Sequence, residues 1–188
     1  MRSRFNRRQD MQTRYVKARR RGLAYAKPGI HNCIVILDGL KPDFNIGKII
    51  RSADAFGVQE VHLVGVDFFD PEPAKGSMRW VVLQQHLDFQ SCYEQISSKG
   101  FVFYCLEPET DCLLGSEPFP EKTAFIVGHE EFGVSFDILQ YPAIHSLAIP
   151  QWGHVQSLNA SVAASVAMYE YVRQHGKPMD LEKGDGMR

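Results

Sequence analysis

The sequence predicts an α/β fold built on a mostly parallel sheet, and three observations carry that prediction. Short apolar runs of strand length recur along the chain, and the segments between several of them have helical spacing. Asn45 to Gly57 supplies a complete strand-helix-strand unit between the runs Cys33–Leu37 and Val61–Val64. The stretch Ile149 to Gln174 then carries a strand end through a glycine-containing loop into a long helix rich in Ala, Ser and Val.

Taken in order, residues 1–28 form a basic arm closed by the turn signal Lys27-Pro28-Gly29, with partial helix expected around Met11 to Ala18. Cys33-Ile34-Val35-Ile36-Leu37 reads as a buried strand, broken by Asp38-Gly39. In the next helix Ile46, Ile49, Ile50, Ala53 and Phe56 share a face, Asn45 is the expected N-cap, and Gly57 stands where a helix ends. Arg51 lies about 140° round from Ile46 on the polar side, which by itself describes a solvated helix arginine.

Val61–Val64 is the second strand, and a loop with Pro71, Pro73 and Gly76 follows. Phe89 to Lys99 reads as a helix closed by Gly100, Phe101–Leu106 as a strand, and Thr123–Val127 as another. A short helix is expected over Ser135 to Gln140, then a strand at Ser146–Ile149. The final helix is expected over Ser157 to Gln174, deeply packed, with Val162, Val166 and Tyr169 along one side. Residues 29–176 thus form one domain of ordinary size, and 177–188 read as a flexible tail.

Composition narrows the function. No apolar run approaches the roughly 20 residues of a membrane span, and the arginine-rich start lacks an apolar signal core, so a cytoplasmic location is expected. Residues 1–28 hold 10 Lys or Arg against Asp10 alone (+9), leaving 11 against 21 (−10) in the rest of the chain. A basic arm on an acidic body points to a polyanion such as RNA. Cys33, Cys92, Cys105 and Cys112 have no C-x-x-C spacing, and Gly133 replaces the second histidine that His129-Glu130 would need for H-E-x-x-H, so no metal is expected. G-x-G-x-x-G and the P-loop pattern are both missing, which disfavours Rossmann dehydrogenases and P-loop NTPases. The ligand site of such a sheet belongs at strand carboxyl ends, here the loops at Leu106-Glu107-Pro108, Gly128 to Gly133 and Pro150 to Ser157.

Three segments together, Asn45-Ile46-Gly47-Lys48-Ile49-Ile50-Arg51 through Val58, Ile126-Val127-Gly128-His129-Glu130-Glu131-Phe132-Gly133-Val134-Ser135, and Ile149-Pro150 through Ser157-Leu158-Asn159-Ala160-Ser161-Val162-Ala163, resemble the SpoU (TrmH-like) RNA ribose 2'-O-methyltransferases of the SPOUT superfamily. The resemblance implies a SPOUT-type knotted fold with a C-terminal deep trefoil knot, a homodimer, and S-adenosyl-L-methionine as cofactor. It implies cofactor binding by Leu106, Gly128, Ile149 and Leu158, and catalytic roles for Arg51, Asn45, Glu130, Ser157 and Asn159. The substrate implied is tRNA or rRNA, with the basic arm as a contact. A non-catalytic RNA-binding or assembly module and a base-directed methyltransferase remain as alternatives. His129, Gln151 and Ala160 depart from residues common in the family, which bears on loop shape and substrate preference.

Overall fold

The computed structural model describes residues 4–176; the tail expected over 177–188 lies outside the described residues. Six strands form one sheet in the order β3-β2-β1-β5-β4-β6, every pair parallel. The strands are β1 (His31–Asp38), β2 (Val58–Val64), β3 (Leu83–His86), β4 (Val102–Leu106), β5 (Thr123–Val127) and β6 (Ile144–Leu147). The helices are α1 (Arg4–Tyr25), α2 (Phe44–Ala55), α3 (Phe89–Ser97) and α4 (Ala160–His175).

Alternation along the strands separates two cores. Cys33, Val35 and Leu37 of β1 point with Val61, Leu63, Phe125 and Val127 toward α2 and α4, where Ile46, Ile49, Ile50, Ala53, Ala164 and Met168 close the layer. Ile34, Ile36, Ala124 and Ile126 point the other way, onto Phe89, Cys92 and Ile96 of α3. A central strand apolar on both faces is what a parallel sheet covered on both sides requires. The cysteines are all reduced, and burial pushes the thiols of Cys92 and Cys105 up to about 12.

Several expectations are corrected. The arm is helical over Arg4–Tyr25, well beyond Met11 to Ala18. Its Tyr15 is buried with its ring 5.0 Å from Phe69, Arg19 donates to the Leu83 carbonyl at 2.7 Å, and Arg14 pairs with Asp70 and Glu72. Those contacts are tertiary, and the sparse apolar residues of the arm gave no periodicity to announce them. Strand β3 was not expected; its Leu83-Gln84-Gln85-His86 is too polar to read as a strand, and only an edge position tolerates it. Ser135 to Gln140 is not a helix: only Ile138–Gln140 makes a single 3₁₀ turn, while Ser135 is drawn toward Asp38.

Both helix starts differ from expectation. Asp43, not Asn45, caps α2 by accepting from the Asn45 N–H, and α4 starts at Ala160, capped by Asn159, instead of at Ser157. The packed side of α4 is also not the one its larger residues marked. Ala160, Ser161, Ala164, Ala167, Met168 and Tyr171 are buried, whereas Val162 and Tyr169 are 47% and 58% exposed. The small residues bring α4 close to α2, where the Ser52 and Ser165 hydroxyls meet at 2.8 Å. No described helix is long and apolar enough to cross a membrane.

Candidate active site

Parallel register brings the three C-terminal strand ends of one half of the sheet to the same level, with Cys105 beside Ile126 and Leu106 beside Leu147. The loops leaving β4, β5 and β6 therefore meet, and together with the start of α4 they enclose a cleft of about 500 Å³. Leu106, Gly128, Ile149, Leu158 and Ser157 all line it. Its floor is apolar, from Val127, Leu147, Ala160 and Ala163, while Glu107, Glu109, Glu130 and Glu131 give the lining four carboxylates.

The loop after β5 is held in a tight turn. His129 and Gly133 exchange backbone hydrogen bonds of 2.7 and 2.9 Å, so a Cβ on Gly128 would lie 2.5 Å from the Gly133 carbonyl carbon. Gly133 takes φ +72°, where a side chain would be strained. His129 Nδ1 accepts from the N–H groups of Glu131 (3.0 Å) and Phe132 (3.3 Å), so this imidazole supplies the local acceptor that shapes the turn. At the far end of the loop, the Ser135 N–H and Oγ–H donate to the fully buried Asp38 carboxylate at 2.5 and 2.8 Å. Burial raises the Asp38 pKa, and the two Ser135 donors only partly offset it.

A second chain of hydrogen bonds joins the loop to both helices. Asn45 Nδ2–H donates to Glu130 Oε1 at 2.7 Å, and Asn159 Nδ2–H donates to Asn45 Oδ1 at 3.2 Å. Asn159 Oδ1 in turn accepts from Ser161 N–H (3.0 Å) and Oγ–H (2.6 Å). Burial works against the Glu130 charge, but the Asn45 donor, with backbone N–H groups and His129, outweighs it and holds the carboxyl below its ordinary value. Next to it, Lys41 Nζ pairs with Glu131 at 3.4 Å.

Among the sequence-predicted residues, Asn45, Glu130 and Asn159 are thus linked, and Ser157 stands at the cleft. Arg51 is not brought there. It is exposed on α2, and its side chain makes no hydrogen bond or ion pair with any described residue. Sequence reasoning passed over Asp38, read only as a strand breaker, although a carboxylate at the end of a buried strand was the available signal. It noted Gln151 only as a departure. Gln151 lines the cleft with its Oε1 buried and unpartnered among the described residues, an acceptor open to a ligand N–H.

The family model for the SpoU rRNA methylase family matches residues 32–169, the span that builds this cleft. The chain belongs to the SpoU family. A SpoU relative, tRNA (guanosine(18)-2'-O)-methyltransferase of Thermus thermophilus, is 36% identical over 148 residues, covering 76% of this chain and 75% of the relative. The Escherichia coli protein of the same name is 30% identical over 156 residues, covering 81% and 66%. Of solved SpoU structures, the A. aeolicus TrmH/SpoU tRNA modifying enzyme superposes with a TM-score of 0.68 at 26% identity, covering 88% of this chain and 84% of that one. The SpoU methyltransferase AviRb from Streptomyces viridochromogenes, in complex with AdoMet, gives 0.68 at 25% identity, covering 78% of this chain and 61% of AviRb.

The Glu130 contact is pH-dependent in a defined direction. Its folded pKa is depressed, so its contribution is complete above the unfolded value and is lost as pH falls through the folded one. Thermal melts of wild type and Glu130→Gln should therefore differ at neutral pH and converge below the ordinary carboxylate range; a difference independent of pH would place the effect elsewhere.

Proposed function

We propose that this chain is an S-adenosylmethionine-dependent methyltransferase acting on a ribose 2'-hydroxyl of tRNA or rRNA. The observation that carries the reading is an acidic-lined cleft at which the second and third family segments meet, with the first tied to both through Asn45. Four carboxylates disfavour a phosphate-bearing cofactor and favour a cationic one, and about 500 Å³ suits a nucleoside-sized ligand. Gln151 Oε1 and the backbone of Gly128 and Leu106 supply polar groups, with Ile149 and Leu158 as apolar walls. When bound, the cofactor supplies an electrophilic methyl that a ribose oxygen can attack in line.

The chain's own residues then have distinct tasks. Asn45, held between Glu130 and Asn159, fixes the relative position of α2, the β5 loop and α4. Ser157, at the cleft, has the task of orienting the acceptor ribose. Arg51 is a permanent cation and cannot serve as a free base, so its role is to hold an RNA phosphate and stabilise charge developing at the attacking oxygen. It reaches the reaction from a second copy of the chain. The open α2–α4 face, with Lys48, Val162, Val166 and Tyr169 bordering a shallow groove, is the surface on which that copy docks. The loop of residues 107–122 grips the last segment on both sides: Ala148 pairs with Cys112 and Leu114, while Tyr171 Oη–H donates to the Glu121 carbonyl and Gln174 accepts from the Phe119 N–H. These contacts support the trefoil-knot reading. The RNA contact is α1, whose Lys17, Arg20 and Arg21 are exposed.

The test is nucleoside mass spectrometry of cellular RNA with and without this protein, with rescue by wild type and by Arg51→Ala. A ribose-methylated nucleoside that disappears on deletion is expected, with Arg51→Ala losing activity by on the order of 100-fold; a base-methylated nucleoside, or none, would select an alternative reading. Replacing Lys17, Arg20 and Arg21 together by Ala should lower the salt dependence of RNA binding by about 2 in log–log slope while leaving cofactor affinity intact. Val162→Glu with Tyr169→Glu should convert a dimer to a monomer in analytical ultracentrifugation, whereas an unchanged sedimentation coefficient would locate the second copy on another face.

A further inference from the structure

On the opposite face of the sheet from α2 and α4, His62 of β2 is wholly buried beneath α3. Its Nε2 lies 3.1 Å from Glu60 Oε2, and the other Glu60 oxygen lies 3.6 Å from Lys99 Nζ. A carboxylate accepting the Nε2–H fixes the tautomer and leaves Nδ1 with its lone pair, the arrangement by which a carboxylate orients a metal-ligating histidine. That lone pair faces His86 Nε2 at 2.9 Å and Cys92 Sγ at 3.9 Å.

We infer that His62, His86 and Cys92 form a binding site for a transition cation of the zinc class, with Glu60 as the group that orients His62. The three ligand atoms all lie within 4.8 Å of one another. Tetrahedral zinc, with Zn–N of about 2.0–2.1 Å and Zn–S of about 2.3 Å, sets ligand atoms roughly 3.3–3.6 Å apart. The observed 2.9 and 3.9 Å separations bracket that range, and His86 is only partly buried. His86 on the edge strand is also where an ion enters and where water takes the fourth position. The nitrogen–sulfur set favours zinc-like ions over Mg²⁺ or Ca²⁺, which require oxygen ligands.

In the metal-free state, the His86 Nε2–H donates to His62 Nδ1. Binding moves that proton to His86 Nδ1 through solvent exchange and releases the Cys92 Sγ–H proton to solvent, so one proton leaves per ion bound. The ion would clamp β2, the edge strand β3 and α3 to one another, tethering the strand with the least apolar sequence. None of the three ligands lines the cleft, so the site stands apart from the proposed methyl transfer.

Full-length protein freed of metal would be titrated with Zn²⁺ against a chromophoric chelator and, separately, with Co²⁺ by absorption spectroscopy. One ion per chain is expected, with a thiolate-to-cobalt charge-transfer band. Cys92→Ser should abolish the band, His86→Gln should weaken Zn²⁺ binding at least ~100-fold, and Glu60→Gln should weaken it ~10–100-fold. Circular dichroism checks that each variant is folded. Wild type without the thiolate band overturns the inference whatever the variants do, as does Zn²⁺ affinity unchanged in folded Cys92→Ser and His86→Gln.

Discussion

One side-chain amide holds the cleft end of this molecule together. Asn45 stands between Glu130, 85 residues later, and Asn159, 114 residues later, donating to the first and accepting from the second. That double role depends on who caps the helices. Because Asp43 takes the orphan N–H at the start of α2, the Asn45 side chain is left to reach outward. Because Asn159 caps α4 through its oxygen, its nitrogen is free to donate to Asn45. A helix start moved by one or two residues would consume these amides locally and leave the loops unconnected.

Electrostatics divides the surface by task. The cleft lining is carboxylate-rich, and the acid nearest the hydrogen-bond chain is kept ionised by the donors around it. Exposed cations stand on two of the helices: Arg51 on α2 and Lys17, Arg20 and Arg21 on α1. A polyanion is thus repelled from the cleft lining, so the two ligands of the proposed reaction do not compete for one pocket.

The sequence exposed the architecture where burial on both faces left a simple mark. Strand β5 is buried throughout, apolar after Thr123, and reads at its observed limits, and the sheet's parallel nature followed from the alternation of strands with helices. The reading failed where apolarity and burial part company. Strand β3 is polar because it is an edge, and α4 buries alanine and serine while exposing valine and tyrosine, so size misled as to which side packs. Two of the three motif segments located the cleft, but no periodicity could reveal that Asn45 bonds across the fold instead of capping its own helix. Arg51 illustrates the converse: its solvated position was legible from the helical wheel, and its proposed role came only from the resemblance.

The loop before α4 and the first turn of that helix carry a consequence for synthesis. Ser157, Leu158, Ala160 and Ala163 line the cleft, and Asn159 completes the amide chain. All five are made after every strand of the sheet. A nascent chain on the ribosome therefore has no competent pocket until almost the whole described sequence has emerged. Ligand binding then rewards only the completed fold, so the cell's supply of small molecule acts as a selective stabiliser of finished protein over partial translation products.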